Sequence, residues 1–478
     1  MLNRITLNTL FQLIARGVEL ASALWVNAWL ARQWGAWIFG QIGFVSSLVG
    51  IGSFLFSCGS EVLLVRLIAR EKEKARHYLL HALALVIPLS LVGTVSILFL
   101  GARLSPGMPL LVLFLASLQL AFSTISLLLQ ACFYAYERME WEGVLALSDR
   151  GIWIGLGVWL ACRPPSLVAM FAALALCKGL KLLLGCLLFY RIIWPQAAPA
   201  RLDIRELLRI LRQSFPFGLE LLFSTIYASA DVLLLARWTG EGEAGLYRAA
   251  SMLIAPLVML AVAFNNALYP RLSIQAQSSP DQVSASGRLS IRLILMGAVP
   301  ITVFLFLFAP FLVHLLFGPR YEASIPLLRC LSLVIPFRFL NNSLTTILWA
   351  TDRQGAQMKC EGLAAACSLF LNSLLIPSLG GLGACVALLT TDLLRTAVLV
   401  GCLRGFGWQG RDGWIPLACL LLAGAMTLPF ASVPWAAAGS LLLLYPTSIL
   451  GLQLLDREDF RLLQVPGAFL SRSTEIPE

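Results

Sequence analysis

Arg16 and Glu19 stand inside the stretch LFQLIARGVELASALWVNAWLAR, residues 10–32, which is otherwise long and apolar enough to cross a bilayer. A charge near the centre of a membrane helix costs about 2.5–3.5 kcal/mol even on the lenient insertion scale. At 1.5 Å per residue, Arg16 lies about 10 Å in from its end of the span, further than a side chain easily snorkels. It is three residues from Glu19, so the two share a helix face. Glu220 and Asp231 occupy a second apolar stretch, FPFGLELLFSTIYASADVLLLARW, and Arg248 begins the next. Two kinds of chemistry suit such a set. One is a dry ion pair that only ties helices together. The other is the charged lining of a water-filled, substrate-facing cavity, where each charge escapes lipid.

The elements that carry these residues follow from composition. Of 478 residues, 59% are hydrophobic and 13% charged, and the mean hydropathy is +0.84. A water-soluble domain of this size does not need so much apolar content, because its surface faces water. The chain reads as a polytopic membrane protein, all-α, with the lipid bilayer as its medium. Its formal charge of +10 belongs to basic inner loops and points to no nucleic acid. The eleven cysteines include no C-x-x-C pair and read as small core hydrophobes. His77, His81 and His314 are scattered and take no ligand role.

The length rule gives about fourteen spans, near 9–31, 38–60, 78–100, 108–132, 143–162, 166–190, 214–236, 244–268, 291–316, 325–350, 357–377, 380–402, 414–432 and 434–454. The last two form a hairpin around PFASVPW. With the N-terminus inside, inner segments hold about 22 basic residues and outer ones about 5, so both termini are expected in the cytoplasm. The segment LDIRELLRILRQ sets Ile204, Leu207, Leu208 and Leu211 against Arg205, Arg209 and Arg212, a short basic amphipathic helix at the inner interface. The expected domains are a six-helix bundle over 1–190, an amphipathic linker over 191–213, a second six-helix bundle over 214–402, an extra transmembrane hairpin over 403–455 and a cytoplasmic tail over 456–478.

The two bundles repeat each other. At a gapless shift of 205 positions, Leu30, Ala31, Arg32, Gly35 and Gly40 fall on Leu235, Ala236, Arg237, Gly240 and Gly245, and Arg66-Leu67 falls on Arg271-Leu272. Spans one and two therefore recur as seven and eight. An even number of spans separates the copies, which gives parallel repeats about an axis along the membrane normal with a central cavity between the bundles.

Other charges within spans read as structural pairs: Arg150, Lys178 and Lys181 in spans five and six, and Asp392 with Arg395 on one helical face. Arg329 and Arg338, with Asn341 and Asn342, lie outside the repeated pair. Glu361 sits near a wetted helix end. No ATP-binding loop, H-E-x-x-H or G-x-S-x-G motif occurs, so neither an enzyme nor a cofactor is expected.

The stretch WGAWIFGQIGFVSSLVGIGSFLFSCGSEVLLVRLIAR resembles the second-helix region of bacterial polysaccharide-biosynthesis flippases. ADVLLLARWTGEGEAGLYRAASML is similar to that family's Asp-led seventh helix and Gly-x-Tyr-x-x-Ala eighth. FGPRYEASIPLLRCLS and LNSLLIPSLGGLGACVALL match its later Phe-Gly-x-x-Tyr and Leu-x-Pro-x-x-Gly-x-x-Gly-Ala stretches. The likeness covers about residues 8 to 405 and implies the multidrug/oligosaccharidyl-lipid/polysaccharide exporter superfamily. It implies transfer of an undecaprenyl-diphosphate-linked oligosaccharide across the bacterial inner membrane, with polysaccharide polymerase and glycosyltransferases as partners. Arg16 and Arg248 would bind the anionic diphosphate. Glu19, Glu220 and Asp231 would carry a coupling proton or sodium ion. Span two has no interior arginine, unlike the peptidoglycan-precursor branch. The rival readings are a cation-coupled drug exporter of the same fold and a non-transporting scaffold.

The loop charges predict that Lys72, Arg205 and Arg457 face the cytoplasm and Arg103 and Arg320 the outside. Cysteines placed singly at these positions in a cysteine-depleted background should react with an impermeant thiol reagent in intact cells only at the last two. Labelling at position 205 from outside would reverse the topology.

Overall fold

In a computed structural model, which describes residues 2–196, 202–278 and 280–403, the chain is helical almost throughout, with no strand among the described residues. The helices run α1 (Leu2–Ser57), α2 (Ser60–Arg70), α3 (Ala75–Leu104), α4 (Leu110–Ala135), α5 (Met139–Ala161) and α6 (Leu167–Ile192). They continue with α7 (Ile204–Trp238), α8 (Glu241–Ser278), α9 (Pro280–Leu316), α10 (Ser324–Ser332), α11 (Ile335–Ala350) and α12 (Gln354–Cys402). Among the described residues nine helices are long and apolar enough to cross a membrane, or ten if α10 and α11, bent by 41° at their break, form one span. This is the all-α polytopic membrane fold. The expected spans at 414–432 and 434–454 lie outside the described residues.

Two helices are far longer than a bilayer needs. α1 has 56 residues, about 84 Å if straight, against a hydrocarbon core of about 30 Å. It breaks at Gly35, whose φ of +79° and ψ of 168° are not helical. Ala23 and Asn27 before the break line the same cavity as Ile42 and Ser46 after it, so the chain reverses there. α12 breaks at Gly380, with φ +56° and ψ −133°. A Cβ on Gly383 would run into the Leu375 carbonyl, although eight helical residues normally span about 12 Å. α12 is therefore also a hairpin. Positive φ is open to glycine at little steric cost. The Gly381 N–H released by that break donates to Glu243 Oε1 of α8 at 2.6 Å. Both reversals fall where the sequence puts turns between spans.

The repeat is visible in the backbone. Gly240, the image of Gly35, also has positive φ, +102°. Gly40 and Gly245, also images of each other, touch. A Cβ on Gly40 would overlap the Glu241 carbonyl, and one on Gly245 would overlap the Ala36 carbonyl; each would lie 2.9 Å from the other glycine's amide nitrogen. Ala36 and Glu241 are themselves 205 positions apart. The contact is isologous, each partner meeting the other's equivalent, which is what a two-fold relation requires.

The described chain divides into two compact units. The first comprises the residues up to Met252 with His314–Ser324 and Ala365–Ala384; the second comprises Leu253–Val313, Ile325–Ala364 and the residues from Cys385 onward. In the first, Leu30, Phe44, Val45, Leu113 and Phe171 form one buried cluster, and Leu64, Ile68, Phe133 and Phe189 another. The outer ridge of α3 is apolar: Ile87, Leu91, Val95 and Phe99, four apart, are each more than 50% exposed. Such a ridge suits lipid rather than water. The basic amphipathic segment forms the first turns of α7 and continues through Pro216 into the span, rather than standing as a separate helix. Asp203 caps it, accepting from the Arg205 N–H at 2.9 Å. Its own N–H donates to Nε2 of the buried His81 at 2.9 Å, while His81 Nδ1 lies 2.7 Å from the His77 carbonyl. The acceptor role of Nε2 leaves the proton on Nδ1.

Gly40→Ala should lower stability by about 1–3 kcal/mol, the usual cost of overpacking. Gly151→Ala has nothing within 4 Å of the new Cβ, and should be neutral or gain up to about 1 kcal/mol of helix propensity. Thermal unfolding of the two variants in detergent checks the contrast.

Candidate functional site

The first unit holds a partly open cavity of about 280 Å³. Ala23, Asn27, Ile42 and Ser46 of α1 form one wall, and Gln119 of α4 adds an amide. Asp149, Arg150 and Trp153 come from α5, Lys178 from α6 and Arg248 from α8. Among the described residues its charged lining is three cations and one carboxylate.

The cations are held differently. Lys178 Nζ lies 2.6 Å from Asp149 Oδ2, and the Arg150 Nε is 4.0 Å from the same oxygen. Asp149 is 2% exposed. Its Oδ1 accepts from the Cys177 thiol at 3.3 Å. A carboxylate this buried is sustained only by such partners. Arg248 is half-buried, with its guanidinium 5.2 Å from the centre of the Phe39 ring. No described carboxylate comes within ion-pair distance of it. Gly43 packs closely against it: a Cβ there would sit 3.0 Å from the Arg248 Cδ and 3.2 Å from Nη1.

Of the residues singled out from the sequence, Arg248 lines this cavity. Arg16 and Glu19 stand on the first arm of α1, and their side chains lie outside the described residues. Asp231 on α7 is buried away from the cavity lining, where Oδ2 accepts from the fully buried Tyr247 hydroxyl of α8 and Oδ1 lies 2.7 Å from the Val232 N–H. Glu220 is half-buried on α7 and does not line the cavity. Asp149 was not singled out, although an intramembrane carboxylate in LALSDRG is itself a signal. Lys178 does pair, as expected, yet it also lines the cavity.

The second unit carries a separate buried network. Asp392, fully buried on α12, pairs with Arg338 of α11 at 3.4 Å, and Asn341 donates to its Oδ1 at 3.1 Å. Arg395 pairs with Glu361, which also accepts from Gln357 at 2.7 Å. Asp392 and Arg395 thus find partners on other helical segments. Glu361, expected at a wetted end, is buried at 6% exposure. Arg329 donates to the Phe306 carbonyl at 3.3 Å.

A family model described as polysaccharide biosynthesis protein matches residues 4–275, more than half of the chain. The chain belongs to the polysaccharide biosynthesis protein family. A second model, lipid II flippase MurJ, matches residues 200–441. Together they make the chain a flippase-type transporter of the multidrug/oligosaccharidyl-lipid/polysaccharide exporter superfamily. No curated protein matches it. Among solved structures it resembles the lipid II flippase MurJ in an inward closed conformation, at 14% identity and TM-score 0.73, covering 94% of this chain and 100% of that one. An inward-facing multidrug resistance MATE family transporter matches at 16% identity and TM-score 0.60, over 81% of this chain and 94% of its own. A transporter of the same superfamily from Pyrococcus furiosus, described as having a binding pocket of reversed polarity, matches at 13% identity and TM-score 0.59, over 84% and 95%. At these identities the likeness concerns the fold.

Asp392→Ala would remove the buried carboxylate that Arg338 and the Asn341 amide share. The expected loss is about 3–5 kcal/mol of stability, whereas Arg237→Ala, at an exposed position, should stay within about 0.5 kcal/mol. Melting of the two purified variants distinguishes them.

Proposed function

We propose that the protein moves a polyprenyl-diphosphate-linked oligosaccharide, an undecaprenyl-diphosphate glycan in bacteria, from the inner to the outer leaflet of the plasma membrane for polysaccharide assembly. The observation that carries this is that the described residues lining a small cavity in a membrane-embedded unit supply three cations against one carboxylate. A diphosphate esterified at both ends carries two negative charges. Arginine presents planar paired donors to such oxygens, and Arg248 is not already committed to a described carboxylate. The match to the lipid II flippase model supports a lipid-linked anion as the substrate class. A cavity of about 280 Å³ lies at the bottom of the small-molecule range of roughly 300–1,000 Å³. It suits the diphosphate and not the glycan, while the prenyl tail stays in lipid.

Arg16 joins Arg248 in this role, and Glu19, Glu220 and Asp231 supply the coupling to a proton or sodium gradient. Polysaccharide polymerase and glycosyltransferases act beside it, and both termini are cytoplasmic. A drug exporter for cations would want a carboxylate-dominated cavity, the reverse of the described lining.

In vesicles reconstituted with the protein and a lipid-linked glycan, Arg248→Ala and Arg16→Ala should each reduce flipping about ten-fold or more, in line with loss of a charge-assisted contact. Arg248→Lys should restore only part, because an ammonium lacks the two-pronged geometry. Undiminished flipping in both alanine variants would dismiss the cationic-cavity mechanism.

A further inference from the structure

Lys178 and Arg248 line one cavity but are not equally free to meet an anion. Asp149, almost wholly buried in the wall, holds the lysine at 2.6 Å. Arg150 stands at 4.0 Å from the same carboxylate. No described carboxylate pairs with Arg248. The Asp149 carboxylate is therefore set chiefly against Lys178, and any anion that draws the lysine away must compete with it.

We propose that Asp149 is a built-in competitor, a positioning residue that contends with the bound anion for Lys178 and so sets how readily the cavity lets the anion go. The inference rests on the diphosphate reading of the cavity. Its physical basis is that passage across a membrane needs binding strong enough to load and weak enough to release. Without Asp149, Lys178 would hold a divalent anion more tightly, because each attraction is far stronger in a low-dielectric pocket than in water. One fixed carboxylate tempers the field without filling the cavity. As the anion departs, Lys178 returns to Asp149, so the charge left behind is never without a partner. This role follows from the atoms Asp149 touches: Lys178 and Cys177 on α6, with Arg150 beside it on its own helix and Lys181 acting at longer range. The neighbouring cavity residues on α1 and α4, Asn27 and Gln119, do not titrate.

The test uses the full-length protein in detergent and farnesyl diphosphate as the probe, with affinity measured by calorimetry. Asp149→Asn should bind about ten-fold more tightly than the wild type, a coupling of the size seen between contacting charged residues. Lys178→Met should bind more weakly. The double variant should match Lys178→Met alone, because the competition vanishes with its object. Asp149→Glu, which keeps the charge, should fall between the wild type and Asp149→Asn. In vesicles, Asp149→Asn should flip a lipid-linked glycan more slowly despite its tighter binding. Relief of direct repulsion alone would tighten binding with or without Lys178, and an Asp149→Asn affinity equal to or below that of the wild type overturns the proposal. So does tightening that persists in full in the Lys178→Met background. If Asp149→Asn does not fold, undiminished binding by Lys178→Met still overturns it. Absence of farnesyl diphosphate binding by the wild type would instead remove the cavity reading itself, and the competitor with it.

Discussion

A guanidinium that cannot give up its proton is the fixed point around which this cavity is arranged. A buried lysine or carboxylate can neutralise itself when its partners fail; Arg248 cannot, so its surroundings must accept a permanent charge. The structure meets that demand without a described counter-ion. Gly43 clears space for the aliphatic stem, Phe39 offers the face of its ring, and the guanidinium borders an open cavity. The preceding residue shows what is withheld. Tyr247 is fully buried and spends its hydroxyl on Asp231, so that carboxylate is already engaged. Consecutive residues of α8 thus divide the labour, one satisfying a carboxylate and the next keeping a positive charge available.

The same stretch of chain carries the internal symmetry. Two residues related by a repeat can touch each other's equivalents only close to the axis that relates them. Gly40 and Gly245 do so through their backbones, five residues beyond the positive-φ glycines that open the second arm of α1 and lead into α8. The absence of a Cβ allows the helices to approach this closely, and in a membrane such approach is a main source of helix association. Gly43 lies one turn further along α1, where it admits Arg248. Glycine thus serves symmetry at one position and charge at the next.

Much of this was legible in the sequence. Apolar length marked the spans, the 205-position shift marked the repeat, and the breaks at Gly35 and Gly380 fell at the expected turns. A shift in sequence shows which residues are equivalent but not which of them meet, so the Gly40–Gly245 contact could not be read from it. The same limit governed the charges. Asp392 and Arg395 look like partners because they share a helix face, yet each finds a stronger partner on another helical segment, where the fold supplies a closer donor or acceptor. Apolar length also ran as one span across Leu333 and Val334, where α10 and α11 bend by 41°. It could not show that Asp203 and His81 would tie the amphipathic segment into the start of α7.

The size and charge of the cavity together divide the work of recognition. Charge is the long-range, geometry-tolerant part of binding. A pocket of about 280 Å³ has room for a diphosphate-sized group and not for a chain of sugars. On the proposed function, the cavity recognises what all polyprenyl-diphosphate glycans share. Discrimination among glycans must then arise from surfaces that contact the sugars through polar and water-mediated contacts, which adapt to different stereochemistry. Such a division separates affinity from selectivity. On that proposal, the arginine can stay unchanged while the sugar-facing surface diverges, because neither depends on the other's geometry.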